Sequence, residues 1–196
     1  MNAGPWAYME KREKCRKHAA EKIMHTERGK GMLEALAVTG ILCLCSLGVI
    51  LVIPFFARTR YLMAFLPRDV REAAKDHPEP PPGKRVIGYL LVLAFAAVFA
   101  GGYVFLGADG LRRGYGFGRL FVQFMIVLYG YKLFDIVVQD QYLVITRRYF
   151  VRFYPETRDC PGWRDRSFNT RKQLIRLAVF PFSAALMAGI TLWIGG

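Results

Sequence analysis

Charge, cysteine and histidine are all scarce in this chain. Charged residues make up 22% of its 196 positions against 54% hydrophobic. So apolar a composition excludes a disordered chain and is too hydrophobic for an ordinary soluble domain of this length. Four cysteines are present, Cys15, Cys43, Cys45 and Cys160, and none forms a C-x-x-C pair. That absence counts against a four-helix quinone-linked thiol oxidoreductase, which needs such a pair. The cysteines read as reduced packing residues. Three histidines occur, His18, His25 and His77, all outside the apolar blocks. An enzyme built on convergent histidines has little to draw on. Cys15-x-x-His18 with His25 fits no standard metal spacing, so a charged surface helix is the simpler reading. No metal and no cofactor is expected.

What is present is four long apolar blocks, the mark of a small polytopic membrane protein. Lysine and arginine total 28 against 15 acidic residues, a net charge of +13. The positive charge is spread over every connection between the blocks, so anionic lipid headgroups explain it better than nucleic acid. The first block is too long for a signal h-region and ends in Ile53-Pro-Phe-Phe56 without a small-residue cleavage site, so no cleavable leader is expected.

Residues 1–32 form a basic tail. Glu10/Lys14 and Glu13/Lys17 are helix-favouring i,i+4 pairs. Trp6, Met9, Ala20, Ile23 and Met24 share one face, which suits either a headgroup-surface helix or a solvated tail. Residues 33–196 form the membrane domain, with spans expected at 33–56, 86–106, 119–139 (with a possible extension to Thr146) and 174–194. Gly40, Ser46 and Gly48 on span one, Ala96/Ala100 and Ala97/Gly101 on span two, and Ser183 to Gly189 on span four are small surfaces for close helix contact. The first loop holds Pro67, expected to open a short helix over Arg68–Lys75, and Pro78-Glu-Pro-Pro-Pro-Gly83, an extended stiff spacer. A glycine-rich turn at 107–118 joins spans two and three. It lacks the strand-before, helix-after context of a phosphate cradle.

Lysine and arginine are more numerous in the two long loops than in the tail and glycine turn. This leans toward cytoplasmic loops with both termini outside, although the basic tail argues the other way. An initiation at Met24 or Met32 would remove most of that objection.

Span three carries ionisable residues at membrane depth. At 100° per residue, Tyr131, Lys132, Asp135, Gln139, Tyr142 and Thr146 fall within about a 100° stripe, with Asp140 off it. Charges there cost ~2.5–3.5 kcal/mol each and should face the bundle interior. Lys132 and Asp135 are placed to neutralise each other. Three readings compete: a satisfied structural seam, a proton or ion path, or an acid–base or metal-binding pair of Asp135 and Asp140. The loop after span three is rich in turn formers and aromatics. Its candidates are Glu156, Asp159, Trp163, Asp165 and Asn169. Glu156, Asp159 and Asp165 are placed to pair with Arg158, Arg164 and Arg166, and Asn169 or Thr170 to cap span four. Folded back over the bundle mouth, this loop would be a lid, a docking surface or an interfacial anchor.

Lys132-Leu-Phe-Asp135, Asp140, Phe153-Tyr-Pro-Glu-Thr157, Gly162-Trp-Arg-Asp165 and Phe168-Asn169, with Pro80-Pro-Pro-Gly-Lys-Arg85 before span two, resemble a group of small bacterial integral membrane proteins. The resemblance covers roughly residues 33–196, and the basic tail departs from it. It implies four helices and adds no activity. The expected fold is therefore all-α: four transmembrane helices with short amphipathic extramembrane segments, multi-pass in the cell membrane. The leading function is a non-catalytic accessory or interaction component, self-associating or bound to another membrane protein. The alternatives are a small transporter or proton-coupled component using Lys132, Asp135 and Asp140, and a membrane enzyme acting on lipid-like substrates.

Overall fold

The computed structural model describes residues 5–63, 66–165, 167 and 169–196; for 5–17, 19–28 and 60 only the backbone is described. The tail features involving Trp6, Met9, Cys15, Ala20, Ile23, Met24 and His25, and the pairs Glu10/Lys14 and Glu13/Lys17, concern side chains outside the described residues, as does the aromatic Phe168.

Among the described residues six α-helices occur: α1 (Pro5–Val52), α2 (Thr59–Met63), α3 (Arg68–Ala73), α4 (Pro82–Arg112), α5 (Phe117–Phe134) and α6 (Thr170–Gly195). No strand occurs among the described residues. Among the described residues four segments are long and apolar enough to cross a membrane: Gly29–Phe55, Pro82–Arg112, Phe117–Thr146 and Thr170–Gly195. Only 11% to 33% of their most apolar windows is buried inside the protein. A water-soluble bundle would have to hide the remaining Leu, Ile, Val and Phe surface, whereas hydrocarbon solvates it without cost.

The helix ends follow from sequence. Nothing between the basic tail and the first apolar block breaks α1, which runs as one helix until Pro54, whose missing N–H stops the ladder. Pro82 opens α4 at a position where no N–H is needed, after Pro81 in an extended conformation (φ −60°, ψ 154°). The glycine turn is a helix stop. Gly114 has φ +66°, Tyr115 N–H donates to Gly110 C=O (2.8 Å) and Gly114 N–H to Leu111 C=O (3.0 Å). These two bonds are a Schellman motif, which accounts for Gly114 without any ligand.

Helix α5 is central, with α1 and α6 packed along it and α4 against α1. Leu120, Phe124 and Val127 of α5 meet Ala35, Val38 and Leu42 of α1, Tyr103 and Leu106 of α4, and Ala184 and Ala188 of α6. Close approach uses glycines: a Cβ on Gly130 would stand 2.8 Å from Thr39, and one on Gly88 would stand 2.9 Å from the Phe56 carbonyl.

A second, smaller core lies at the loop end. Helix α3 packs with three short 3₁₀ turns, Tyr149–Arg152, Pro155–Thr157 and Pro161–Arg164. Trp163, Tyr154, Phe150 and Val70 are buried there with Met63, Ala74, Val144 and Ile145. Thus the two long loops fold together into a cap. Asp69 accepts a hydrogen bond from Gly162 N–H (2.6 Å), and any Cβ at Gly162 would stand 2.3 Å from Asp69 Oδ1. The Tyr149 hydroxyl donates to Leu51 C=O (2.6 Å), tying the cap to the end of α1.

Candidate functional site

Beyond Phe134 the third membrane segment changes ladder. Asp135–Thr146 is π-helical, with i→i+5 hydrogen bonds. Arg147 N–H reaches back to Tyr142 C=O (2.8 Å), and the Thr146 hydroxyl to Gln141 C=O (2.8 Å). Such a ladder needs more than four residues per turn, so residues four and five apart share a face. This corrects the stripe expected from a 100° step. Asp140 joins Asp135, Gln139 and Val144 on the inward face, while Tyr142 and Thr146 turn outward. The uniform α period was the wrong ruler for the last dozen residues.

That inward face lines a cavity of about 610 Å³. Its polar wall includes Tyr131, Lys132, Asp135, Gln139 and Asp140 from the third segment, Ser46 from α1, and Asn169 and Arg176 at α6. Phe95 and Phe99 of α4, Leu128 of α5 and Phe180 of α6 give it apolar walls, and Phe150 of the cap reaches it. The cavity therefore lies under the cap, among all four membrane segments.

The polar groups engage one another. The Lys132 ammonium is 5% exposed and pairs with Asp135. Gln139 Nε2 donates to the Ser46 hydroxyl (2.7 Å), which in turn lies 3.2 Å from the Tyr131 hydroxyl. Asp140 accepts from Gln173 Nε2, and Asn169 lines the same cavity beside it. Lys132 and Asp135 neutralise each other and Asp140 takes an amide donor, which lowers the cost of placing these groups at membrane depth, where an unpaired charge is expensive. Asn169 occupies the N-cap position of α6 but makes no side-chain capping bond. It lines the cavity with Asp140 instead, which corrects the expected cap.

Ser46, Gln173 and Arg176 complete the site and were not among the candidates. One signal for the last two was available: Asn169, Gln173, Arg176 and Phe180 recur at helical spacing on one face of α6. Arg176 has no acidic partner among the described residues. The buried Gln173 Oε1 likewise has no hydrogen-bond partner.

The other loop candidates lie away from the cavity. Glu156 pairs with His77 Nδ1 (2.8 Å) rather than with an arginine, and the His77 ring stands edge-on to Tyr154. Trp163 is a core residue whose Nε1 donates to Thr157 C=O (2.8 Å). Asp165 accepts from the Ser167 N–H (2.8 Å) and hydroxyl (2.7 Å). Asp159 is exposed and in no ion pair among the described residues. Arg166, one of the expected partners, lies outside them. The cap interior disfavours charge. Burial pushes the Tyr154 phenol up, and burial, then Asp69 and Asp159, push the Cys160 thiol up.

No group of three His, Cys, Asp or Glu suited to a metal occurs among the described residues. At the opposite end of the bundle a second ionic cluster closes the glycine turn. Arg113 pairs with Glu34 (2.5 Å) and Asp109 (2.8 Å), and Gln123 Nε2 donates to Gly31 C=O (3.0 Å). Compared with protein-family models, with curated proteins and with solved structures, the chain matches none.

Proposed function

We propose that the protein is a non-catalytic integral component of a bacterial cell membrane. It acts as an accessory or interaction subunit that associates with itself or with another membrane protein. The observation that carries this reading is on the outside of the bundle. Gly40 and Gly48 of α1 and Gly101 of α4 face outward, with nothing within 4 Å of where a Cβ would stand. In hydrocarbon there is no hydrophobic drive between helices, so close backbone approach at small residues is a main source of association. The internal polar groups are bound largely to one another, which suits a structural seam. The test is the native mass of the extracted full-length protein, alone and after Gly40→Leu and Gly48→Leu together. A defined oligomer or co-purifying partner, lost in the variant, is expected. A monomer without a partner in native membranes ends this reading.

The cavity favours a second reading, a small transporter or proton-coupled component. Asp135, Asp140 and Lys132 line one space that also takes Asn169 and Arg176 from α6. Flux or growth unchanged by Asp135→Asn would dispose of it. A membrane enzyme on lipid-like substrates would have to work with Asp135 and Asp140 alone, because Glu156, Asp159 and Asp165 lie away from the cavity.

A further inference from the structure

A separate groove runs down the outside of the bundle, between the end of α1, α2 and the first half of α4. It holds about 560 Å³. Ile53, Leu62, Val92, Leu93 and Ala96 make its walls apolar, and Gly88 forms part of its floor where α4 crosses the Phe56 carbonyl. Its charged residues are both cations, Arg58 and Arg85. Neither has a carboxylate partner among the described residues. Arg85 is held in place because its Nε donates to Pro80 C=O (2.6 Å). The Arg58 Nε is buried and has no hydrogen-bond partner. That Nε is closed off by the protein, but Arg58 as a whole is only partly buried, and a phosphate oxygen is the acceptor that the rest of its guanidinium suits best. The tyrosines at the mouth, Tyr61 and Tyr89, are about half exposed, as side chains are at a headgroup layer.

The dimensions select the ligand. From Arg85 to Ala96 along α4 is roughly 16 Å at ~1.5 Å per residue. Half of a ~30 Å hydrocarbon core is about 15 Å, so the groove runs the depth of one leaflet. Arg85 lies in the first turn of the membrane segment and Ala96 near its middle. We infer that this groove is a binding site for one anionic phospholipid, with its phosphodiester on Arg58 and Arg85 and one acyl chain along Val92, Leu93 and Ala96. The inference rests on the membrane placement of the four helices and is independent of the accessory role.

The test is native mass spectrometry of the full chain released from nanodiscs of phosphatidylglycerol and phosphatidylcholine in equal amounts. One retained phosphatidylglycerol per chain is expected. In the Arg58→Gln/Arg85→Gln variant its retention should fall about tenfold. Ala96→Phe, which fills the inner end without touching charge, should also lower it. Arg58→Lys/Arg85→Lys keeps the charge and should retain an intermediate amount, and its helical circular dichroism shows whether the fold survives. Equal retention of the two lipids, or no change in the double glutamine variant, overturns the site. Loss with the glutamines but not with Ala96→Phe reduces it to surface charge attraction and overturns the groove. Displacement by soluble glycerol phosphate overturns the acyl-chain part. The oligomeric mass is read in the same spectra, so failure of lipid binding and failure of the accessory reading are seen separately.

Discussion

The two ends of the bundle solve the same problem differently. At the glycine turn, Arg113, Glu34 and Asp109 gather where helices begin and end, and the paired Arg113 and Glu34 side chains are each 27% exposed. Water and headgroups share the cost of those charges, and α4 keeps ordinary α geometry to its Schellman stop. Under the cap, Lys132 is 5% exposed near the middle of a 30-residue membrane segment. There the protein supplies the partners of Lys132, Asp135, Gln139 and Asp140 itself. It does so with residues from α1 and α6 and by changing the helical ladder, so that Asp135, Gln139 and Asp140 all face inward. Charge at a membrane edge is cheap and leaves backbone geometry alone. Charge at depth draws its partners from other helices and is accompanied here by a change of helical pitch.

The largest contrast is one of face. Spin labels at Tyr142→Cys and Val144→Cys should read opposite environments, lipid at 142 and protein interior at 144. An α ladder continued from the exposed Leu133 and Val137 would bring 144 outward. Oxygen accessibility at 144 equal to that at 142 would remove the π-helical account. Next in size is Lys132→Met, which strands Asp135 and should cost about 3–5 kcal/mol in reversible unfolding from mixed micelles. Lys132→Met/Asp135→Leu should recover most of that loss. If the single variant is as stable as the wild type, the pair is not closed in the way described. Ser46→Ala removes the link between Gln139 and Tyr131 and should cost about 1–2 kcal/mol by the same measurement. Smallest is Arg113→Gln at the open end, where screening leaves little to lose. An effect there as large as that of Lys132→Met would erase the difference between the two ends.

Much of this was readable from pattern. The four apolar segments, the helix opened after Pro67 and the inward position of Lys132 and Asp135 come from hydropathy, proline chemistry and the cost of charge in hydrocarbon. Helices α4 and α6 run past the spans expected at 86–106 and 174–194, because a hydropathy edge marks the bilayer, whereas Pro82 and Gly114 mark the ends of the helix. The loop acids Glu156, Asp159 and Asp165 misled for a related reason. A carboxylate in a turn-rich loop has many local partners, and nothing in one dimension says that His77, from the preceding loop, stands opposite Glu156. The bond from Gln173 to Asp140 was hidden similarly, since a polar residue in the first turn of a helix reads first as a cap.

Composition and spacing alone therefore settle the class: an all-α chain with four membrane-length helices and an ionic pair on the third. They suffice because hydrocarbon forbids unpaired backbone and unpaired charge whatever the packing. Tertiary structure alone decides which residues meet the pair, that the two long loops share one core around Trp163, and that Asp140 faces inward. Those depend on side chains far apart in the chain arriving at one place, and on a change of helical pitch whose compensating contacts exist only once α1 and α6 are packed against α5.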